Sequence, residues 1–555
     1  MNSIRFDGML TLAFINGVVF CSNPDNLKET YEAVGINGKY IALLGSTEDI
    51  LEKTDSDTEV IDLRGRLLTP GLIDSHFHPI LAGLFGTDED AAIINTNIKY
   101  VDSIAGILEL ANLAAKKRGP GQWISMMGYD QNSVKEKRHI TLKELDQAAP
   151  DNPVQCMRTC GHICIYNSKA LEHIGVYSAK DASKYPPGEI VVENGELTGM
   201  VKDHTHFKLW SYVEYSDEQQ IQAALSSETK LLESGITSIH DPGETDKQAY
   251  HIMQKLCTER TFKPRSSMML HSIFGKEQSK KDNEHWFNLG FITGLGNEYF
   301  RVGASKFMID GGTSGPSSAT RKPYSHDELM PGILGWNREE VADYIEKIHL
   351  ADCQATAHAV GDLAIEFMVE GYEKAMAKHP EKSYLRHRVE HCTIVDEDLI
   401  ERMARLDICP STNPGFIFWN GSNYIKYYGE RMKYFSALKS MMDAGIKVSI
   451  GSDSPSGPVE SVIMLDSMVN RVDRNTGEKV DSYQCVSIEE ALHAYTYNGA
   501  YSTFEEDIKG SLAIGKLADL AVFSENLLAL PNEDIINVIV DFTVLDGKIV
   551  YSSEK

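Results

Sequence analysis

The chain lacks any run of about 18 consecutive apolar residues, which excludes a bilayer-spanning helix. It lacks a basic surplus. Its 54 Lys and Arg face 80 Asp and Glu, for a net charge of −26. Nucleic acid and anionic membrane are therefore excluded as partners, since no excess cations exist to neutralise phosphates. It lacks any Cys-x-x-Cys pair. The nine cysteines are odd in number and scattered, and the trio Cys156, Cys160, Cys164 has no zinc-type spacing. Reduced thiols in a cytoplasmic protein are the expectation. There is no internal repeat and no low-complexity linker. The apolar stretch 9–21 is broken by Asn16-Gly17 and preceded by a single cation, Arg5. That pattern fits a strand–turn–strand hairpin better than a signal-peptide core.

At 555 residues the chain is too long for one compact domain. Hydrophobic content of 42% and charged content of 24% are those of a soluble globular protein. Short strands are expected at 12–15, 18–20, 33–36, 40–43 and 59–63, and again at 518–523, 537–541 and 548–551. Neither set can bury a core alone, so the two ends (1–69 and 508–555) are expected to combine in a small β-sandwich. The middle, 70–507, alternates apolar strands with amphipathic stretches. Strands are expected at 72–73, 234–241, 265–270, 301–310, 355–359, 386–392, 407–410 and 447–453. Eight such repeats predict an α/β fold, a (β/α)8 TIM-like barrel. The span between the first two strands is too long for one crossover, and an inserted subdomain is expected around 122–206.

Catalytic residues of such barrels lie at the carboxyl ends of the strands. The first strand ends in His76-Phe77-His78, and residues i and i+2 of an extended segment share a side. Further along, Lys306 and Asp310 belong to the fourth strand, His358 to the fifth, His391 to the sixth and Asp453 to the eighth. Four imidazoles and a carboxylate can hold one or two divalent ions, with zinc the expected metal. A bound ion brings a water towards neutral pKa, and Asp453 can take the proton as hydroxide attacks and pass it to the leaving group. A desolvated Lys306 amine loses its charge and can take up CO2 as a carbamate that bridges two ions. The second His-x-His pair, His204 and His206, sits at an expected helix start, where i and i+2 do not share a face, and is set aside. Two readings stand for several neighbours. His240 lines the pocket, or serves the core or supports other site residues. His162 reaches substrate or is structural. Asp362 and Glu390 orient histidines or do not. Phe416, Phe418, Trp419 and Tyr424 form an apolar lid, a small core of their own or an oligomer contact.

These stretches resemble the metal-dependent amidohydrolase superfamily. The resemblance rests on Thr69 to His78, on Lys306-x-x-x-Asp310-Gly311, on His358-Ala-Val-Gly-Asp362, on Arg388-Val-Glu-His391 and on Gly451-Ser-Asp453-Ser-Pro455. The return at 510–520 and the segment Tyr166 to Leu171 add to it. The branch it looks like is family 3, which includes N-substituted formamide deformylase-like proteins. The resemblance implies a zinc-type site and hydrolysis of a carbon–nitrogen bond in a non-peptide amide. By position, His76, His78, Lys306, His358, His391 and Asp453 match metal ligands, with Asp453 also the general base. Two departures fall where substrate would sit. Gly312-Thr313-Ser314-Gly315-Pro316 replaces a Ser-Leu-Gly-Ser-Arg-like loop, and Cys160 stands where the branch often has Asp. The competing readings are a deaminase of a heterocyclic amine and a non-catalytic scaffold. Related deaminases carry a Glu three residues after the fifth-strand histidine; here that position is Gly361. The expected partner is a small-molecule substrate, and the assembly considered is a homodimer.

Overall fold

The computed structural model describes residues 8–159, 161–243, 247–271, 276–325 and 332–553. Eight parallel strands follow one another around a barrel: Leu72–Asp74, Ile236–Asp241, Arg265–Leu270, Phe300–Met308, Ala355–Ala359, Arg388–His391, Cys409–Thr412 and Ser449–Ile450. The first and last meet where Ser75 N–H donates to the Ile450 carbonyl (2.8 Å) and Asp453 N–H to the His76 carbonyl (2.7 Å). Parallel strands under a coat of helices are buried on both faces, so their sequences do not alternate. Every residue of Ala355–Ala359 is buried. A polar residue in such a strand needs a partner, and Thr356 finds one by donating to Glu390 (2.8 Å). The outer helices begin with caps of the ordinary kind. Arg338–Leu350 starts at Asn337 in a reciprocal capping box with Glu340, and turns Val341, Ile345 and Ile348 inward.

Both chain ends enter one six-stranded sheet, in which Leu67–Pro70 pairs antiparallel with Leu520–Phe523. It packs on a four-stranded sheet over Phe14, Val34, Ile36, Leu68 and Val544. The expected hairpin at Asn16-Gly17 does not form. Leu12–Ile15 pairs in the four-stranded sheet and Val18–Phe20 in the six-stranded one. The turn, with Asn16 at φ 55°, carries the chain between layers. A buried clamp ties the sandwich to the barrel: Arg265, at the start of the third strand, donates to Asp519 (2.6 and 3.0 Å) and Asp546 (2.5 Å).

The segment between the first two barrel strands contains a seven-stranded sheet. It starts earlier than the expected 122–206, at Phe85–Gly86 and Ile93–Asn95. Strands of two or three residues are too short to carry a readable alternation. The sheet has its own core around Ile94, Ile107, Ile124, Val154 and Ile165. His204 and His206 lie in the helix Asp203–Trp210 that follows it. No helix among the described residues is long and apolar enough to cross a membrane. Every described cysteine is free; Cys160 lies outside the described residues.

Candidate metal centre

The stretch after the first strand is laced between its neighbours. Phe77 N–H donates to the His240 carbonyl (3.1 Å), and His78 N–H to that of Ser454 (3.3 Å). Asp74 accepts from the backbone N–H of both His76 (3.1 Å) and Ser452 (3.0 Å). Those bonds bring His76, His78 and Asp453 together. Their ligating atoms all lie within 4.8 Å of one another, with Asp453 Oδ1 at 3.5 Å from His76 Nε2 and 3.6 Å from His78 Nε2. Asp453 adopts φ 55° and His391 φ 70°, a left-handed backbone that costs roughly 1–3 kcal/mol at a non-glycine residue and clusters at functional sites.

The partners of the two imidazoles decide which nitrogen is free. His76 Nδ1 lies 2.7 Å from Glu390 Oε2, and His78 Nδ1 lies 3.1 Å from the Gly243 carbonyl. Both partners only accept, so each Nδ1 carries its hydrogen and each Nε2 presents a lone pair beside Asp453. A divalent ion fits this donor set of two neutral imidazoles and a carboxylate. Burial, with Lys306 and His391 nearby, pushes the His76 imidazole well below its usual pKa, which keeps it neutral and able to ligate. Burial would raise the Asp453 carboxyl. The neighbouring imidazoles of His78, His76 and His391 instead hold it below the carboxylate range.

His391 and His358 stand next in line. Ring centroids are 4.6 Å apart for His76 and His391, and 4.4 Å for His391 and His358. His391 Nδ1 is 2.7 Å from Asn413 Oδ1, and His358 Nε2 is 3.2 Å from the Gly311 carbonyl. Lys306 Nζ lies 3.5 Å from His76 Nε2. Burial pulls its amine down to about 8, against the pull of Glu390 and Asp453. Behind His76, Glu390 also accepts from Arg388 (2.9 and 3.3 Å).

Three candidate neighbours do not line the cavity, although Asp310 Oδ1 comes within 3.8 Å of His358 Nε2. Asp310 accepts from the backbone N–H of Ala319, Val360 and Gly361 (2.9, 3.0 and 2.8 Å) and shapes the loop instead of lining the cavity. Burial pushes its carboxyl up to about 7. Asp362 accepts from Arg321 N–H (2.8 Å) and orients no histidine. His240 is fully buried and braces Arg388 (3.0 Å). His162 does line the cavity. Two side chains escaped the sequence reading. Asn413 was missed because the seventh strand runs to Thr412, two residues beyond the expected end. His271, whose Nδ1 is 3.2 Å from the Lys306 carbonyl, is the first residue after the third strand, where a strand-end search could have found it. Of the four aromatics considered as a lid, Tyr424 and Phe416 pack in a small separate core and both border a pocket beside the site, Phe418 is buried and Trp419 is exposed.

The cavity over these groups measures about 100 Å³ and has walls of Leu81, Met127, Met157, Phe207, Trp210 and Met308. A barrel with histidines and a carboxylate converging at its carboxyl end defines a metal-dependent hydrolase. The chain belongs to the amidohydrolase family, whose model (Amidohydro_3) matches residues 59–551. It is 28% identical over 527 residues to the protein named "Putative amidohydrolase YtcJ" of Bacillus subtilis (strain 168), covering 94% of this chain and 96% of that protein. It is 25% identical over 535 residues to the N-substituted formamide deformylase of Arthrobacter pascens, covering 94% and 95%. An uncharacterized metal-dependent hydrolase from Pyrococcus horikoshii OT3 shares the fold, with a TM-score of 0.72 at 23% identity over 94% of this chain and 99% of that one.

Proposed function

We propose that the chain hydrolyses the carbon–nitrogen bond of a non-peptide amide, with His76, His78 and Asp453 at the core of a zinc site that His358, His391 and Lys306 complete. The observation that carries this reading is the pair of Nε2 lone pairs, one buried and one half-buried, facing Asp453 Oδ1 at 3.5 and 3.6 Å. A divalent ion held there supplies Lewis acidity, which lowers the pKa of water and polarises a carbonyl. Asp453 takes the proton of the attacking water and returns it to the departing nitrogen. Glu390 and Gly243 hold the two imidazoles in the ligating tautomer. The apolar walls exclude bulk water and favour a hydrophobic substituent. The proposal extends to a carbamate on Lys306: the neutral amine adds to CO2, a nitrogen–carbon bond forms, and one proton leaves.

The deaminase alternative meets a steric obstacle. A Cβ at Gly361 would lie 1.9 Å from the Ala319 carbonyl oxygen, so no glutamate can occupy that position on this backbone. The scaffold alternative leaves unexplained why so many candidate ligands persist at one strand edge.

The test is elemental analysis of the purified protein followed by an amide screen. Two zinc ions per chain support the bridged site, and one removes the need for a bridge. Failure to bind metal after reconstitution overturns the proposal.

A further inference from the structure

A second cavity, of about 500 Å³, opens where the inserted sheet meets the connection back to the barrel. Its volume is that of a small-molecule site, and it shares no lining residue with the catalytic cavity. Arg118 ends the helix Ile104–Arg118. Trp123 just precedes the strand Ile124–Tyr129, and Ser125 lies in it. Tyr212, Glu214 and Tyr215 belong to the link between the helices Asp203–Trp210 and Asp217–Glu233.

Three groups in its wall lack the partner their chemistry calls for. Arg118 donates to two backbone carbonyls, those of Trp123 (2.8 Å) and Ala91 (2.5 Å), and pairs with no carboxylate among the described residues. Burial pulls its guanidinium below the ordinary value, as for a cation short of counter-charge. Asp90, whose charge reaches it, is already paired with Lys117. Ser125 is 1% exposed. Its Oγ accepts from Gln155 Nε2 (2.9 Å), and its own hydrogen meets no acceptor. The Tyr215 hydroxyl is buried without a partner, with Ser125 and Arg118 close by. Buried donors left over in this way are rare, and these line one space.

The outer part has the opposite character. Asp90 and Glu214 are exposed, and Glu214 has no cation partner among the described residues. Trp123, His173 and Tyr212 form a row of rings with centroids 5.0 and 5.5 Å apart. Aromatic faces and carboxylates are the surroundings that take up an ammonium group. An anion alone would have to pass two carboxylates on a chain of net charge −26. A cation alone would meet the unpaired guanidinium of Arg118. A molecule carrying both charges satisfies both ends.

We propose that this cavity binds a zwitterion of amino-acid size, its carboxylate taken up by Arg118, Ser125 and Tyr215 and its ammonium by Glu214 and the rings of Trp123 and Tyr212. The assignment is independent of the hydrolase reading, because no group of the metal centre takes part in it.

The test is isothermal titration calorimetry of the zinc-loaded protein with three probes that share one apolar body: L-phenylalanine, 3-phenylpropanoate and 2-phenylethylamine. One L-phenylalanine per chain is expected to bind, roughly tenfold or more tighter than either singly charged probe. Arg118→Met is expected to weaken L-phenylalanine roughly tenfold or more, since it removes a charge-assisted hydrogen bond. Glu214→Gln alters an exposed side chain and keeps the fold. It is expected to weaken L-phenylalanine roughly two- to fivefold and to leave 3-phenylpropanoate no weaker. No saturable binding of L-phenylalanine by the wild type overturns the proposal. So does equal or tighter binding of either singly charged probe, which would mark a plain anion or cation site. Affinity for L-phenylalanine unchanged in Arg118→Met also overturns it, since an amino acid held by the zinc ion gives that result. If Arg118→Met does not fold, Glu214→Gln decides: a loss confined to L-phenylalanine supports the assignment, and unchanged affinity overturns it.

Discussion

Glu390 is fully buried between Arg388 and His76, and replacing it with Gln perturbs both the fold and the ligand. Oε1 accepts from Arg388 Nε (2.9 Å) and Thr356 (2.8 Å), while Oε2 faces His76 Nδ1 (2.7 Å) and Arg388 Nη2 (3.3 Å). An amide keeps one acceptor oxygen and turns the other position into a donor. If the NH2 faces His76, Nδ1 must accept, the ring hydrogen moves to Nε2 and the ligating lone pair is lost. If it faces Arg388, two donors oppose each other. Either way a buried guanidinium loses its counter-charge, which costs about 3–5 kcal/mol of folding free energy. Loss of the partner that orients a histidine ligand lowers metal affinity roughly ten- to hundredfold. The assay is competition with a zinc chelator, alongside urea denaturation of metal-free wild type and variant. Metal affinity within about twofold of wild type, together with a stability loss below about 1 kcal/mol, would refute the account, because the charge and tautomer arguments each require more than that.

Asp453→Asn is expected to lower kcat/KM by roughly 10²–10⁴ with an unchanged circular dichroism spectrum; unaltered turnover sinks the proton-shuttle role. Lys306→Ala is expected to reduce zinc content, with added short carboxylic acids restoring part of the activity. Full zinc occupancy in that variant argues against a bridge. Acid stability is expected to depend on His387, whose Nδ1 accepts from Ala355 N–H (3.0 Å) and whose Nε2 faces His349 Nδ1 (2.9 Å). Burial, with His349 adding to it, pushes the His387 imidazole down to about 3. The unfolded chain therefore binds the extra proton below about 6.5, and stability falls as pH drops, by about 2 kcal/mol at pH 5. His387→Phe is expected to take up about one proton fewer on unfolding between pH 6.5 and 4, as read from the pH dependence of urea denaturation.

Much of the architecture and part of the site were legible in the chain. The barrel strands are short runs buried on both faces, and the helices between them have a 3.6-residue period. Both are local properties that survive in one dimension. The His76-Phe77-His78 pair was legible as two imidazoles at i and i+2, but the strand ends at Asp74, and hydrogen bonds to neighbouring loops bring the two rings together. What the sequence could not determine was which elements become neighbours. Asn16-Gly17 has the local chemistry of a hairpin, yet the strands on either side join different sheets, a choice made by partners Ala33–Asn37 and Leu67–Pro70 further along the chain. Asp310 and Asp362 sit in motifs with the right spacing, but their carboxylates serve backbone amides, because loops folded onto the barrel offered unpaired N–H groups. Glu390, within Arg388-Val-Glu-His391, was legible as a candidate to orient a histidine; which histidine was not, because its contact with His76 spans strands far apart in sequence. The sequence thus determined the elements and the types of candidate ligand. The tertiary structure decided the tautomers, the buried charge pairs and the meeting of His162 with the barrel site, since each depends on atoms brought together only when the sheets close.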